Sequence, residues 1–452
     1  MPMTPRQAAE VLRLYIDEWQ SNRRSTTKVD NWYRGENEKP WMPNRSTLEY
    51  RELQDRSRTP WLSLVVTAVA QALYVDGYRR ADDPDNAAGW AAWQRNGLDA
   101  RQAAVHRGAL AHGLAYATVL PGGGDTAVIR GVSARRMIAL YRDPAEDEWP
   151  EYAIRADHLR GQKMRWRLYD ADAVYTFDGD QTSPEFVTFD VHGAGVCPVI
   201  RFANQLDLDG RSAGEVSPLI ALAARIDQDT FDRLVVQRFG AWSVRTISGM
   251  EMPAAAVDGD GNTTSVAAEK LRLRMEDILV SESPDTKFGT LAGTPLDGYI
   301  KARESDIRDL AAVSQTPPDN LLGQMVNLSA EALAAARASL SAKVAERQAS
   351  FGESWEQTLR LAAHVQGDSE GAEAFDAQVV WRDTEIRSLA QAADALGKLA
   401  QMLRVPVQML WEKIPGWTQQ DVERAKALMD DGGFEALIAQ LAGGDSALPP
   451  AG

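Results

Sequence analysis

The sequence of 452 residues is poor in cysteine and in long apolar runs. Its single cysteine, Cys197, cannot form an internal disulfide, which excludes a disulfide-stapled domain and fits a reducing compartment. We expect Cys197 to be a buried structural thiol rather than a nucleophile. The N-terminal residues lack the apolar core of a signal peptide, and no run of apolar residues reaches membrane-spanning length. We therefore expect a soluble protein that is made inside the cell and crosses no membrane.

Motifs of the common active sites are also missing. The glycine-rich stretch Pro121–Asp125 lacks the Lys-Ser/Thr of a phosphate-binding P-loop, and no HExxH or GxSxG occurs. Asp258–Glu269 has the acidic spacing of a calcium loop, but Thr263 stands where the glycine is required, so we expect a turn. We expect His106 and His112 to be surface or half-buried residues. The sequence thus predicts no catalytic residue, no metal site and no cofactor.

Positive charge is scarce as well. The 49 lysines and arginines face 64 acidic residues, which gives a net charge of −15. Tight binding to nucleic-acid phosphates is therefore disfavoured, and a protein of this composition that handles DNA must avoid holding it tightly. Tryptophan, by contrast, is abundant at 13 residues. We expect most of them to lie in the core or in subunit contacts rather than to stack on bases.

In the first half of the chain, the pattern of apolar residues changes near Gly113. Before it, apolar periodicity predicts helices from Thr4, from Thr59 with Pro60 at the first helical position, and from about Asp85 to His112. After it, short alternating runs separated by Gly, Asp and Pro predict an antiparallel sheet between residues 116 and 204. One hairpin of that sheet is expected at the glycine-rich stretch.

Two helices with matching starts follow. Ser217 and Thr294 are predicted N-caps, each is followed by proline, and both helices have a narrow apolar stripe beside a wide charged surface. The segment between them is too small to bury a large core alone. A loop with adjacent prolines then leads to a long helix from Ser329 to about His364. Its predicted apolar stripe is Leu333, Leu340, Val344, Phe351, Trp355 and Leu359, and Gly352 makes a kink plausible.

Three blocks of sequence carry a resemblance to a known family. They are AVSQTPPDNLLGQ followed by NLSAEALAAARASLSAKVAERQASFGESWEQTLRLA, then WRDTEIRSLAQAADALGKL, and, more weakly, PWLSLVVTAVAQALYVDGYR. Over most of its length the chain resembles the portal proteins of tailed bacteriophages, in particular those of long-tailed siphoviruses.

The resemblance implies an α+β subunit with wing, stem, clip and crown regions. The implied domains are N-terminal helices and a β-rich wing (1–216), stem helix 1 (217–243), a small α/β clip (244–290), stem helix 2 (291–313), a tunnel loop (314–328), a long kinked helix with completion of the wing (329–381), a helical crown (382–442) and a disordered tail (443–452).

The resemblance also implies a function. About twelve copies would form a ring at one capsid vertex, through which double-stranded DNA passes during packaging and ejection. The ring would dock the terminase large subunit, which hydrolyses ATP separately, and a head-to-tail adaptor, and it would contact the major capsid or scaffolding protein. Assembly in the host cytoplasm, a place in the virion and the absence of enzymatic activity are implied too. The alternatives are another head structural or adaptor protein and, less favoured, an unrecognised enzyme.

The tunnel loop is the site that the resemblance singles out. Its expected DNA-facing residues are Gln315, Pro317, Pro318, Asp319, Asn320, Gly323, Gln324 and Asn327, of which only one is charged. A loop with few cations can touch DNA without the counterion-release affinity that would stall movement. We expect the two prolines to end the stem helix and the glycine to redirect the chain.

Basic residues on the stem have two open interpretations. They are Arg233, Arg238, Lys301 and Arg308. They either form rings that face DNA or pair with carboxylates of the adjacent subunit. We favour pairing, because each helix carries acidic residues among them.

Overall fold

The computed structural model describes residues 1–44, 47–80, 86–159, 161, 163–180, 183–240, 245–248, 287–290, 294–323, 330–382, 389–411, 413–414, 416–417 and 419–430. The chain divides into two compact units. The first comprises Met1–Glu38, Arg58–Arg225 and Asp306–Gly452, and the second Lys39–Ser57 and Ile226–Ser305. Within the described ranges, every helix is too short or too polar to span a bilayer.

The described residues form a mixed helix and sheet fold. The helices are α1 (Pro5–Arg34), α2 (Leu48–Ser57), α3 (Trp61–Ala70), α4 (Ala87–Arg95), α5 (Leu98–His112), α6 (Ile220–Gly240), α7 (Asp297–Ser314), α8 (Pro318–Leu322), α9 (Ala330–Val365), α10 (Ser369–Ala372), α11 (Leu389–Leu403), α12 (Val407–Trp411) and α13 (Gln419–Asp430). The strands are β1 (Val75–Arg79), β2 (Leu114–Pro121), β3 (Ala127–Ser133), β4 (Met137–Leu140), β5 (Tyr152–His158), β6 (Met164–Tyr169), β7 (Ala173–Gly179), β8 (Pro184–Val191), β9 (Val199–Ala203), β10 (Arg245–Ser248), β11 (Lys287–Thr290) and β12 (Gln378–Trp381).

The first unit contains the antiparallel sheet that the alternating runs predicted. Five strands form a meander in the order β4-β5-β6-β7-β8. Helix α1 packs on this sheet, because Leu12, Ile16 and Trp19 recur on one face and are buried there. The ring of Trp19 meets that of Trp166 edge to face, with centroids 4.8 Å apart. Thr4 and Gln7 form a capping box that starts the helix.

A second core lies around a three-stranded sheet of order β3-β2-β9, which α5 and α9 contact. The side chains of Phe351, Trp355 and Leu359 on α9 are buried, as the apolar stripe predicted. Helix α9 continues through Gly352. A β-carbon added at this glycine would lie 3.5 Å from the side chain of Val379 in β12, which is an ordinary contact distance. Leu340 is half-buried. The side chain of Leu333 lies outside the described residues.

Our prediction of surface or half-buried histidines was wrong for His106. Its ring is fully buried, and Trp355 Nε1 donates a hydrogen bond of 2.8 Å to its Nε2. Its Nδ1 lies 3.2 Å from the carbonyl oxygen of Leu73. Burial lowers the pKa of His106 to about 4, so the ring is neutral and joins α5 to α9 as a polar element of the core. Cys197 is buried and free, as predicted, and burial raises the pKa of its thiol.

Several predicted helix boundaries are shifted. Helix α3 begins at Trp61, one residue after the proline that was expected to open it. The segment from about Asp85 to His112 is two helices, since Gly97 adopts φ +60° between α4 and α5. A 3-10 turn at Ser217–Leu219 precedes α6, and α7 begins at Asp297 rather than directly after Thr294.

The second unit holds most of α6 and the first half of α7, together with α2 and the antiparallel pair of β10 and β11. The calcium-like stretch Asp258–Glu269 lies outside the described residues, as does the predicted disordered tail. In the first unit, α11 to α13 occur where a helical C-terminal region was predicted.

Candidate functional site

The helices α6 and α7 run antiparallel. In the first unit, the Arg225 guanidinium lies 2.7 Å from Asp306 Oδ1 and 3.3 Å from Asp309 Oδ2. In the second unit, Arg303 Nε donates a hydrogen bond of 3.2 Å to Thr230 Oγ1. The helix pair is therefore held by polar contacts in each unit, and sequence analysis missed Arg225 because only the fold shows which helix faces it.

The basic residues of these helices have different surroundings. Arg238, Lys301 and Arg308 are exposed, and Arg233 is half-buried. Arg233 Nη1 donates a hydrogen bond of 3.4 Å to Gln237 Oε1, while its buried Nε has no hydrogen-bond partner among the described residues. Burial and the nearby Arg233 charge together lower the pKa of Arg303. Two like charges thus lie close together and partly shielded from water.

A buried ionic cluster lies in the first unit, where α6 begins and α7 ends. Glu215, just before α6, accepts hydrogen bonds from Lys343 Nζ and, at 3.2 Å, from Arg347 Nη2. Lys343 Nζ also donates a hydrogen bond of 3.0 Å to the carbonyl oxygen of Ser314, the last residue of α7. The three charged residues are each at most 8% exposed. One carboxylate therefore ties the start of α6, the end of α7 and helix α9 together.

This cluster was not predicted from the sequence, although the spacing of its two cations is visible there. Lys343 and Arg347 are four residues apart and flank Val344 on the stripe that α9 buries. Cations inside a buried stripe require a carboxylate partner, because an isolated buried charge is costly. That partner is 128 residues away from Lys343 in sequence, so pattern alone does not locate it.

The loop that contains Pro317 and Pro318 is described over residues 315–323 and is called the proline loop below. It starts with a reversal of the backbone rather than with a proline. Gln315 adopts φ +55°, and its N–H donates to the carbonyl oxygen of Ala312 at 3.3 Å. Thr316 N–H donates to the carbonyl oxygen of Ala311 at 3.0 Å. This pair of bonds is a Schellman motif, which ends α7 at Ser314. The prediction that the prolines end this helix was therefore wrong.

The prolines instead begin the next turn. Pro317 is extended and buried, and Pro318 occupies the first position of the short helix α8. Gly323 follows at φ +64° and caps α8, with its N–H donating to the carbonyl oxygen of Asp319. The glycine therefore redirects the chain as expected.

The loop is anchored on one side and open on the other. Leu321 is 5% exposed and joins Pro317 on the buried side. Gln315, Pro318, Asn320 and Gly323 are exposed, and Asp319 is half-buried. Gln324 and Asn327 lie outside the described residues. The exposed part of the described loop therefore offers neutral polar groups and no cation.

No group of three or more His, Cys, Asp or Glu side chains within the described ranges is arranged to hold a metal ion. Three tryptophans of the described ranges, Trp90, Trp93 and Trp355, lie together in the core. Trp90 and Trp93 stack with ring centroids 5.5 Å apart, and Trp355 meets Trp93 edge to face. Trp381 is half-buried against His106. The interpretation of these residues as core rather than as a base-stacking platform is confirmed for Trp90, Trp93 and Trp355.

Comparison with known proteins identifies the class to which this architecture belongs. Residues 12–431 match the family of phage portal proteins described as SPP1 Gp6-like. The chain belongs to this family, which resolves the choice between a portal and a head-to-tail adaptor in favour of the portal. Portal proteins are structural components of the phage particle.

Two curated relatives agree with the family match. The portal protein of Mycobacterium phage D29 is 29% identical over 359 residues, covering 74% of this chain and 71% of the relative. The portal protein of Mycobacterium phage L5 is 28% identical over 358 residues, with the same coverage.

Two solved structures are similar to the chain at low identity. A chain from the virion of a native gene transfer agent particle gives a TM-score of 0.45 at 11% identity, covering 83% of this chain and 96% of that one. A chain from the neck of the native particle, computed with C12 symmetry, gives a TM-score of 0.46 at 12% identity, covering 82% and 93%.

Proposed function

We propose that about twelve copies of this portal subunit form a ring at one capsid vertex, with α6 and α7 as stem helices and the proline loop facing a central channel for double-stranded DNA. The family match over residues 12–431 carries this proposal. Residues 244–290 would form the clip, and residues 382–442 the crown. The ring would be assembled in the host cytoplasm, where it would meet the major capsid or scaffolding protein.

Simple geometry is compatible with a channel for one duplex. Twelve helices of about 10 Å diameter placed side by side have a circumference of roughly 120 Å, hence a diameter of about 38 Å between helix axes. Subtracting one helix diameter leaves roughly 28 Å clear. The number twelve comes from the family resemblance and not from the chain itself.

The chemistry of the loop supports a passage for DNA rather than a binding site. Its exposed described residues Gln315, Pro318 and Asn320 are neutral, and the half-buried Asp319 is the one charged residue between Ser314 and Gly323. Few counterions are released when DNA passes such a surface, so little affinity opposes movement. The buried cluster of Glu215, Lys343 and Arg347 would hold the loop at a fixed place beside the stem.

The stem cations would pair with carboxylates of the neighbouring subunit. Arg233 and Arg303 lie close enough for one charge to lower the pKa of the other, although Glu304 acts in the opposite direction. A carboxylate brought by the adjacent copy to the half-buried Arg233 guanidinium would offset the like charges further. Arg238, Lys301 and Arg308 would take part in the same interface. The terminase large subunit and the adaptor would dock elsewhere on the ring.

Electron cryomicroscopy of the purified protein tests the proposal. We expect a closed ring with a central hole, in which residues 315–323 are the residues of the first unit nearest the axis. The same map would show a carboxylate of the adjacent copy within hydrogen-bond distance of Arg233. A ring with the loop on its outer rim, or an assembly without a hole, would contradict the proposal.

A further inference from the structure

A basic cleft lies in the first unit, away from the stem helices and the proline loop. Its volume is about 570 Å³, and its walls come from α1, α5, β3 and the neighbouring ends of β5 and β6. Its lining includes the small residues Gly108, Ala111, Ala115 and Gly131. A β-carbon at Gly131 would meet Val105 at 2.6 Å, and one at Gly108 would meet Ala115 at 3.5 Å, so these glycines let α5 pack closely on β2 and β3.

Arginine dominates the walls of the basic cleft. Six arginines line it, and Asp30 is the one carboxylate among the lining residues. They are Arg23, Arg34, Arg101, Arg107, Arg135 and Arg136. In a chain with a net charge of −15, such a local surplus of positive charge is the opposite of the average surface.

Some of these arginines are already paired. Arg34 and Arg135 both contact Asp30, and Arg136 Nη1 lies 3.1 Å from Asp157 Oδ1. Arg101 and Arg107 are exposed and form no ion pair with any described residue. The two arginines on α5 can therefore bind carboxylates of another molecule.

An acidic loop elsewhere in the same unit has the matching chemistry. The acidic loop comprises residues 143–151, between β4 and β5, and contains Asp143, Glu146, Asp147, Glu148 and Glu151. Asp143 N–H donates to Asp147 Oδ2 at 2.8 Å, which preforms its turn. Glu151 pairs with Arg142, while the carboxylates of Glu146 and Glu148 are exposed and unpaired in the described part of the chain. Trp149 adds a half-buried apolar group.

The acidic loop cannot occupy the basic cleft of its own copy. Arg136, which lines the cleft, directly precedes β4, and the loop begins after the far end of that strand. Ala156 and His158 of β5 line the cleft at the same end of the hairpin as Arg136. The two features are thus separated by the length of β4, about 13 Å at roughly 3.3 Å per residue.

We propose that the acidic loop of one copy enters the basic cleft of the next, with Glu146 and Glu148 facing Arg101 and Arg107. Two different patches at opposite ends of one hairpin make a head-to-tail contact, which closes into a ring when the rotation between copies allows it. The contact rests on the proposed ring for the presence of adjacent copies, and it assigns them one specific interface.

Charge reversal tests the contact. The cleft variant is Arg101→Glu with Arg107→Glu, and the loop variant is Glu146→Lys with Glu148→Lys. We expect each variant alone to lose the ring in native mass measurements, because like charges then face each other. A one-to-one mixture should restore a ring with equal numbers of both chains, since each reversed patch meets its complement. Arg13→Glu with Arg24→Glu, on the exposed face of α1 outside the cleft, is the matched control and should assemble normally.

Cysteine crosslinking keeps the test decisive if a reversed variant folds poorly. Because Cys197 is buried, Arg107→Cys with Glu148→Cys should give disulfide-linked multimers on oxidation, whereas Arg24→Cys with Glu148→Cys should not. The proposed contact is wrong if the cleft variant assembles like the wild type and the crosslink does not form. It is also wrong if the cleft variant keeps its ring but no longer binds a short DNA duplex, because the cleft would then bind phosphates. If the wild-type chain forms no ring, the proposed function fails, and the crosslink still decides the contact.

Discussion

Among the described residues of the proline loop, Gln315 is the one non-glycine residue with a left-handed backbone conformation. It occupies the left-handed position of the Schellman motif that ends α7, at φ +55°. The same position at the ends of α1 and α9 is filled by Gly35 and Gly367, at φ +73° and +78°. A side chain in this region costs roughly 1 kcal/mol relative to glycine. The chain thus keeps a neutral polar side chain at the start of the loop although glycine would be less strained.

Replacing this residue by glycine should stabilise the protein. We expect Gln315→Gly to raise the free energy of unfolding by about 0.5–1 kcal/mol, because the strain at the left-handed position is removed. Urea denaturation measures the change, and Gln315→Ala is the matched control, since alanine retains the β-carbon and should give no gain. Equal stability of the glycine and alanine variants would contradict the strain.

Trp355 is the largest side chain between α5 and α9, and its loss should be severe. Trp355→Ala should lower the free energy of unfolding by about 3–5 kcal/mol, because it leaves a cavity beside Trp93 and Phe202. Trp355→Phe keeps most of the ring but removes the donor to His106 Nε2, and should cost less, about 1–3 kcal/mol. Thermal unfolding distinguishes these outcomes, and an unchanged melting temperature for the alanine variant would show that the packing contributes little.

At the scale of secondary-structure elements, hydrogen bonds and ion pairs between buried polar groups fix how the helices pack together. Glu215, two residues before the 3-10 turn, is bound to Lys343 of α9, and the carbonyl oxygen of Ser314 at the end of α7 is bound to the same lysine. His106 performs the corresponding role between α5 and α9. Each junction uses groups that are costly when unpaired, so each tolerates one arrangement of the elements far better than any other.

The ionic cluster predicts unequal effects of two neutralising substitutions. Glu215→Gln leaves Lys343 and Arg347 buried together without a carboxylate, and should cost about 3–5 kcal/mol. Lys343→Met leaves Glu215 paired with Arg347 and should cost clearly less. Denaturation of both variants under the same conditions checks the order. A larger loss for Lys343→Met would show that Glu215 is not the centre of the cluster.

The buried histidines predict a pH dependence. In the folded protein the pKa values of His106 and His112 are each lowered to about 4, from an ordinary value of 6.5. The unfolded chain therefore takes up protons first as pH falls. Stability should be fully present above about pH 6.5 and decline towards pH 4, by about 1.4 kcal/mol per pH unit for each histidine.

Urea denaturation at pH 7 and pH 5, at one protein concentration, measures this dependence. His106→Gln should weaken it, because one of the titrating groups is removed. The same slope in this variant and in the wild type would show that His106 is not the source.

At the scale of the whole molecule, charge is distributed unevenly. The chain carries a net charge of −15, its exposed proline loop is nearly neutral, and six arginines gather in one cleft. For a portal, an acidic subunit with a neutral loop suits a channel that repels its cargo and does not hold it.

A cation added to the loop should therefore slow DNA movement. Asn320→Lys adds one exposed charge per subunit, and we expect a lower packaging rate at low salt that recovers as the salt concentration rises. Asn320→Asp is the matched control, since it changes the same side chain without attracting phosphate. Equal packaging rates for the lysine and aspartate variants at low salt would show that residue 320 does not face the DNA.

The sequence by itself determined the elements that local rules govern. Alternation predicted the antiparallel sheet, helical periodicity predicted the buried face of α9 with Phe351 and Trp355, and the quoted blocks led to the portal family. These signals are local because the side chains that produce them are neighbours along a helix or a strand.

Only the tertiary structure decided which distant groups meet. It placed Glu215 against Lys343, removed His106 from the surface, and ended α7 by the backbone of Gln315 rather than by the prolines. It also collected the arginines of α1, α5 and the turn before β4 into one cleft. The physical reason is that the energy of a buried charge or ring depends on partners that lie far away in sequence, and no local pattern records them.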